Sequence, residues 1–142
     1  ELAKHANITA IKEASGNISQ CAEIARLVPE DFSIYSGNDD MITPLLALGG
    51  DGVISVLSNI APRQTHEIVQ KFFDGDIAGA ISGQLKAKPM IDALFAEVNP
   101  IPVKAALDIM GRSKMNFRLP LCDPEESTMV LLERELKAYG IL

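Results

Sequence analysis

The chain has 142 residues, of which 47% are hydrophobic and 23% charged, a length and composition that fit a single globular domain with a real core. Its net charge of −6 and the lack of a lysine- and arginine-rich run argue against nucleic-acid and anionic-membrane partners. No apolar stretch is long enough to span a bilayer, and the isolated Cys21 and Cys122 argue against a zinc site or disulfide framework. We therefore expect a cytoplasmic protein.

Strand-then-helix units occur three times in the first half of the chain. The predicted strands cover residues 8–13, 32–36 and 53–57. Asn17 is predicted to cap the first helix, whose apolar face comprises Ile18, Cys21, Ala22, Ala25 and Val28. Asn38, Asp39 or Asp40 is predicted to cap a short second helix that ends near Leu48. A third helix is predicted to start near Pro62 and to run toward Phe73.

This alternation predicts a parallel sheet with right-handed crossovers. Residues 53–57 are almost continuously apolar, as a strand covered on both faces should be. Three parallel strands leave both edges of the sheet open, so we expect an arc of a larger sheet, either a (β/α)8 barrel or a doubly wound fold. The start of the chain resembles the end of a helix and lacks an initiator methionine, which indicates a piece of a longer protein.

The second half of the chain is predicted to be helical. One helix covers residues 77–97 with Pro89 inside it, and another ends at Met110. For the last helix, Asp123 is the predicted cap, followed by Pro124 and a capping-box Glu126. Its apolar stripe and terminal glycine are Met129, Leu132, Leu136, Tyr139 and Gly140. We expect residues 1–75 to form the sheet unit and residues 76–142 a small helical domain.

Three polar segments follow the predicted strands, and ligands bind at the carboxyl ends of strands in α/β folds. Of these residues, Lys12 offers the most specific chemistry. A lysine removed from water at a strand end has a lowered pKa, and a neutral amine can attack a carbonyl to form a Schiff base. The alternative for Lys12 is a side chain that extends to solvent. For Asp39 and Asp40, helix capping is favoured over a metal site, because no histidine or cysteine is near.

Four motifs carry a resemblance to a known family. They are Ile11-Lys12-Glu13-Ala14-Ser15-Gly16-Asn17, Ser36-Gly37-Asn38-Asp39-Asp40, Gly49-Gly50-Asp51-Gly52-Val53-Ile54-Ser55-Val56 and Asn99-Pro100-Ile101-Pro102-Val103-Lys104. In order and spacing they resemble the C-terminal half of the 4-hydroxy-tetrahydrodipicolinate synthase (dihydrodipicolinate synthase) family. The resemblance covers essentially the whole chain. It implies the last three βα units of a (β/α)8 barrel followed by a C-terminal helical domain.

The resemblance also implies roles for individual residues. Lys12 matches the lysine that condenses with pyruvate, and the enamine then attacks aspartate semialdehyde. Pyruvate is thus a covalently bound substrate, and no separate cofactor is implied. Ile54 matches the position whose backbone carbonyl faces pyruvate, and Gly37 and Asn99 match positions that line the aldehyde pocket. The remaining matches are Ala3, Ala6 and Ile8, whose backbone carbonyls hold a monovalent cation in some members, and Ser19 and Leu48, which contact other subunits in the usual tetramer.

By the same resemblance, the paired threonines, the proton-relay tyrosine and the carboxylate-binding arginine belong to an N-terminal half that this chain lacks. The favoured interpretation is therefore a fragment of the synthase of lysine (diaminopimelate) biosynthesis that is inactive alone. A second is another Schiff-base lyase of the superfamily, such as a sialic acid or keto-sugar-acid lyase, which the Asn99 to Lys104 motif disfavours. A third is a non-catalytic half-barrel that associates with itself through its open strand edges.

Overall fold

The computed structural model describes residues 1–142 and has an α/β architecture with one small parallel sheet. The strands are β1 (Ala10–Glu13), β2 (Ser33–Ser36) and β3 (Gly52–Val53). The helices are α1 (Ile18–Leu27), α2 (Ile42–Ala47), α3 (Pro62–Phe73), α4 (Ile77–Leu94), α5 (Ile101–Ile109) and α6 (Glu126–Tyr139). Short 3-10 turns occur at Leu2–Lys4, Asp39–Met41 and Leu57–Asn59. The predicted order of strands and helices is confirmed.

The sheet has the order β1-β2-β3, and both pairs of strands are parallel. Ile11 pairs with Ile34, and Lys12 pairs with Tyr35. The prediction of a third strand over residues 53–57 is wrong, because β3 has only two residues. After it, the Ile54 N–H donates to the Ser36 carbonyl at 2.8 Å and the ladder ends. A short apolar run does not distinguish a buried strand from an apolar turn. Here the run begins in β3 and ends in the 3-10 turn at Leu57–Asn59.

Asp51 attaches the start of β3 to the central strand at two points. Its backbone N–H donates to the Ile34 carbonyl at 2.8 Å. In return, the Ile34 N–H donates to Oδ2 of Asp51 at 3.0 Å. A side-chain carboxylate thus accepts the hydrogen bond that a third-strand carbonyl would normally accept.

By packing, the chain groups into two compact units, one formed by residues 1–55 and 67–84 and the other by residues 56–66 and 85–142. The core between the sheet and α1 and α2 is centred on Cys21, Ile34 and Leu45, all of which are buried. Around them pack Ile11, Ile24, Ala25, Val28, Met41 and Leu48. The predicted apolar face of α1 is therefore correct at Cys21, Ala25 and Val28, whereas Ile18 and Ala22 are exposed.

The N-terminus of α2 is held by a residue that is distant in sequence. Gln84, on α4, is buried, and its Oε1 accepts a hydrogen bond from the Thr43 N–H at 3.3 Å. Its Nε2 donates to the Asp39 carbonyl at 2.8 Å. No side chain of Asn38 or Met41 caps the turn or the helix that follows each of them. The predicted local cap of this helix is therefore wrong, and a tertiary contact satisfies the exposed backbone groups instead.

In the second unit, α5 and α6 pack together. Leu132, Leu136 and Tyr139 of the predicted α6 stripe are buried, and Gly140 ends the helix in the left-handed conformation with φ of 82°. The predicted capping box is wrong: α6 begins at Glu126, and Glu125 at its N-cap makes no side-chain capping bond. The Glu97 carboxylate instead accepts from the Glu125 N–H at 3.0 Å. None of the helices combines the length and apolar character needed to cross a membrane.

Candidate active site

Lys12 lies near the carboxyl end of β1 and its side chain is exposed. The expectation that this lysine is removed from water is wrong for this chain. The reason is that Lys12 lies on the opposite face of the sheet from the core formed with α1 and α2. Because strand side chains alternate, Lys12 points away from the face on which Ile11 and Glu13 pack toward α1.

Gly37 follows β2 and lies directly beside the Lys12 side chain. A Cβ atom added to Gly37 would lie 2.9 Å from Lys12 Cε and 2.6 Å from Ala14 Cβ, closer than real Cβ contacts allow. The Gly37 N–H donates to the Glu13 carbonyl at 2.6 Å, which extends the β1–β2 ladder beyond the strand. The Lys12 side chain therefore occupies the space that a side chain at position 37 would need, and only glycine fits there.

Ile54 joins the same edge of the sheet. Its N–H is bound to the Ser36 carbonyl, one residue before Gly37, and its side chain is 49% exposed. Lys12, Gly37 and Ile54 thus lie at the carboxyl ends of three adjacent parallel strands. Asn99, the fourth predicted site residue, lies in the second compact unit, just before α5.

The polar turn after β2 is ordered by Ser36, whose importance the sequence did not reveal. The Ser36 hydroxyl donates to the Asn38 carbonyl at 2.8 Å and accepts from the Asn38 N–H at 3.2 Å. Ser36 and Asp39 are both buried, so the turn is anchored to the interior of the protein through these two side chains. Together with the Gln84 contacts, these bonds hold the loop that contains Gly37.

Glu13 is the second functional candidate that sequence reasoning missed. Its carboxylate is buried on the α1 side of the sheet and accepts from the Ser15 N–H at 3.0 Å, Gln20 Nε2 at 3.2 Å and Cys21 Sγ at 3.0 Å. Burial pushes the pKa of this carboxyl up, but the bonds from Cys21, Ser15 and Gln20 outweigh it and leave the pKa below its usual value. The sequence did contain one signal for this role. Glu13 shares a face of the predicted strand with the apolar Ile11, and an acidic residue on a buried face is unusual.

The positions assigned to a monovalent cation also come together. Ala3, Ala6 and Ile8 line one pocket of about 160 Å³, along with His5 and Asp31. Backbone carbonyls from this stretch are oxygen ligands of the kind that hard cations prefer. Side chains do not form a second centre, since no group of three or more His, Cys, Asp or Glu residues is arranged to hold a metal ion.

The motif from Asn99 to Lys104 begins α5 and ends in an anchoring contact. Lys104 Nζ donates to the Asn116 carbonyl and lies 4.9 Å from the centroid of the Phe117 ring. This cation thereby attaches the loop after α5 to the helix itself. The contact gives Lys104 a structural role within the second unit.

Comparison with known proteins places this geometry in a family. The model of the dihydrodipicolinate synthetase family matches residues 1–139. The 4-hydroxy-tetrahydrodipicolinate synthase of Caldicellulosiruptor bescii is 57% identical over 99% of this chain and 48% of its own length. That of Clostridium perfringens is 49% identical over 100% of this chain and 49% of its own length. The chain spans about half the length of the curated relatives it matches.

Solved structures agree with the sequence relatives. The dihydrodipicolinate synthase of Thermotoga maritima superposes with a TM-score of 0.97 at 44% identity, covering 99% of this chain and 49% of that one. The enzyme of Acinetobacter baumannii, solved in complex with pyruvate, gives a TM-score of 0.94 at 36% identity over 99% of this chain and 48% of that one. The chain belongs to the dihydrodipicolinate synthetase family.

Proposed function

We propose that this chain is the C-terminal part of a 4-hydroxy-tetrahydrodipicolinate synthase, a cytoplasmic lyase of lysine biosynthesis that condenses pyruvate with aspartate semialdehyde. The observation that carries the proposal is the position of Lys12, with its side chain beside Gly37 at the carboxyl edge of the sheet to which Ile54 also belongs. Family membership and a relative solved with pyruvate support the same substrate.

In this proposal Lys12 is the nucleophile. Its amine attacks the ketone carbon of pyruvate, water leaves, and the resulting imine loses a methyl proton to give an enamine. The enamine carbon attacks the aldehyde of aspartate semialdehyde, and cyclisation releases the product and frees Lys12. The Ile54 carbonyl faces pyruvate, while Gly37 and Asn99 line the aldehyde pocket. No cofactor is needed, because the lysine itself supplies the electron sink.

The finer fold belongs to the same proposal. Residues 1–75 correspond to the last three βα units of a (β/α)8 barrel and residues 76–142 to the C-terminal helical domain. The complete enzyme is a homotetramer in which Ser19 and Leu48 contact other subunits. The backbone carbonyls of Ala3, Ala6 and Ile8 bind a monovalent cation. The proton relay and the carboxylate clamp lie outside this chain, so the chain alone is inactive.

Borohydride trapping tests the assignment of Lys12. The full chain is incubated with pyruvate, reduced with sodium borohydride and digested, and the N-(1-carboxyethyl)lysine adduct is located by peptide mass spectrometry. We expect the adduct at Lys12 in excess of the exposed Lys71 and Lys86, which serve as internal controls in the same molecule. A Lys12→Arg variant should lose the excess. Equal labelling of all exposed lysines would sink the assignment.

A turnover assay tests the inactivity of the chain alone. Purified chain with pyruvate and aspartate semialdehyde should give no product above a no-protein control, because the steps after imine formation need the proton relay and the carboxylate clamp that lie outside this chain. The Lys12→Arg variant provides the matched control. Product formation that depends on Lys12 would show that the missing groups are dispensable.

A further inference from the structure

Glu13 occupies a position where an apolar residue would be expected. In β1 it shares a face with Ile11, which packs against the core formed by Cys21, Ile34 and Leu45. Glu13 itself is only 6% exposed. Burying a carboxylate is costly unless hydrogen bonds replace its water, and an apolar residue would fill the space without that cost. A buried charge at this place therefore calls for a reason beyond packing.

The hydrogen bonds of Glu13 join three parts of the fold. Its Oε1 binds the backbone of the turn after β1 at Ser15 and the side chain of Gln20 in the first turn of α1. Its Oε2 accepts from the buried Cys21 thiol. Its backbone carbonyl binds the N–H of Gly37, the residue that follows β2. One residue thus connects the end of β1 to α1 and to the neighbouring strand.

These connections converge on the residue before Glu13. Lys12 lies on the opposite face of the same strand, and a Cβ atom on Gly37 would lie 2.9 Å from its Cε. A displacement of the end of β1 would therefore carry the Lys12 side chain away from Gly37.

We propose that Glu13 is a positioning residue for the Schiff-base reaction, with its carboxylate fixing the backbone from which Lys12 extends and the Cys21 thiol fixing the carboxylate. This inference rests on the proposed role of Lys12. Glu13 does not touch the substrate; it acts through Lys12 from the other face of the sheet. Its burial and its three donors are the features that carry the inference.

The test compares pyruvate trapping at Lys12 with trapping at Lys71 and Lys86 in the same molecules. In Glu13→Ala, which loses all three side-chain bonds, we expect the Lys12 share to fall about tenfold. In Glu13→Gln, which keeps an oxygen for Ser15 and Gln20 but loses the anionic acceptor of Cys21, we expect about a threefold fall. The matched control is Glu23→Gln on α1, since Glu23 is an exposed partner of Arg26 and its loss should leave the ratio unchanged.

The outcomes separate this inference from the proposed function. No preferential trapping at Lys12 in the unmodified chain would contradict the proposed function and the inference together. Preferential trapping that is unchanged in a folded Glu13→Ala variant would overturn only the inference. Circular dichroism identifies the folded variants. If Glu13→Ala does not fold, Glu13→Gln decides, and an unchanged Lys12 share in that variant overturns the inference as well.

Discussion

Lys12 and Gly37 are in such close contact that the two residues constrain each other. A Cβ atom on Gly37 would lie 2.9 Å from Lys12 Cε and 2.6 Å from the Cβ of Ala14, two residues further along the chain. The first contact involves the flexible part of a lysine and the second a rigid methyl group. A side chain at Gly37 would therefore have two separable effects, one on the lysine and one on the fold.

Gly37→Ala should displace the Lys12 amine and reduce its pyruvate trapping about tenfold relative to Lys71. The same change should lower the free energy of unfolding by roughly 1–3 kcal/mol, because the new methyl group overpacks the site. Trapping by mass spectrometry and urea unfolding measure the two effects separately.

The double variant Gly37→Ala/Ala14→Gly separates them further. Removing the Ala14 methyl relieves the 2.6 Å clash but leaves the clash with Lys12. We expect most of the stability to return while trapping at Lys12 stays low. Full recovery of trapping in the double variant would mean that Gly37 affects Lys12 only through the fold.

Asn17 provides the N-terminal cap of α1, since its Oδ1 accepts from the Ser19 N–H at 3.0 Å and the Gln20 N–H at 3.2 Å. Asn17→Ala should cost about 1 kcal/mol of unfolding free energy, because two helix N–H groups lose their acceptor. Asn17→Asp retains an acceptor and should be nearly neutral. Thermal unfolding of both variants measures this, and equal losses in the two would argue against capping.

The Cys21 thiol should make stability depend on alkaline pH. Burial, together with the neighbouring Glu13 carboxylate, raises the pKa of this thiol to about 11, whereas an unfolded cysteine titrates near about 8.5. The folded chain thus holds a proton that the unfolded chain releases, so the stabilisation is complete below the unfolded pKa and is lost as pH rises toward 11.

Cys21→Ala removes the titrating thiol, so the stability of this variant is compared with that of the unmodified chain. We expect the unfolding free energy of the unmodified chain to fall by on the order of 2 kcal/mol more than that of Cys21→Ala across this window. Urea unfolding at a series of pH values measures both curves. Parallel curves would show that the thiol does not titrate differently in the folded and unfolded chains.

Leu136 lies on the packed face of α6 and is fully buried, whereas Val130 on the same helix is 65% exposed. Leu136→Ala should cost about 2–5 kcal/mol, because it leaves a cavity in a closed core. Val130→Ala should change stability by no more than about 0.5 kcal/mol. Urea unfolding distinguishes the two, and a small effect at Leu136 would contradict its place in the core of the second unit.

Local signals were sufficient where the structure depends on neighbours in sequence. The Asn17 cap, the buried side of α1 at Cys21 and the left-handed end of α6 at Gly140 were all predictable, because each needs only a few adjacent residues. The candidate site was predictable to the same extent. Parallel strands bring their carboxyl ends to one edge, and this principle predicted that the polar segments beginning at Lys12 and Ser36 share that edge.

Contacts between distant segments were not predictable. Gln84 binds the start of α2 from 41 residues away, and no pattern near Thr43 indicates this. The exposure of Lys12 also depends on which face of the sheet the helices cover, and here they cover the face of Ile11. The buried role of Glu13 required knowing that a thiol, and not an aliphatic group, lies opposite it.

The two bonds between Asp51 and Ile34 have a consequence for how this sequence tolerates changes in length. They fix the alignment of β3 before its two residues pair, so the placement of Ile54 is determined by one aspartate and not by a long ladder. Extra residues before Asp51 would disturb the turn after α2 but leave these two bonds to set the alignment. A single residue inserted after Asp51 would instead move Ile54 to the opposite side of the sheet.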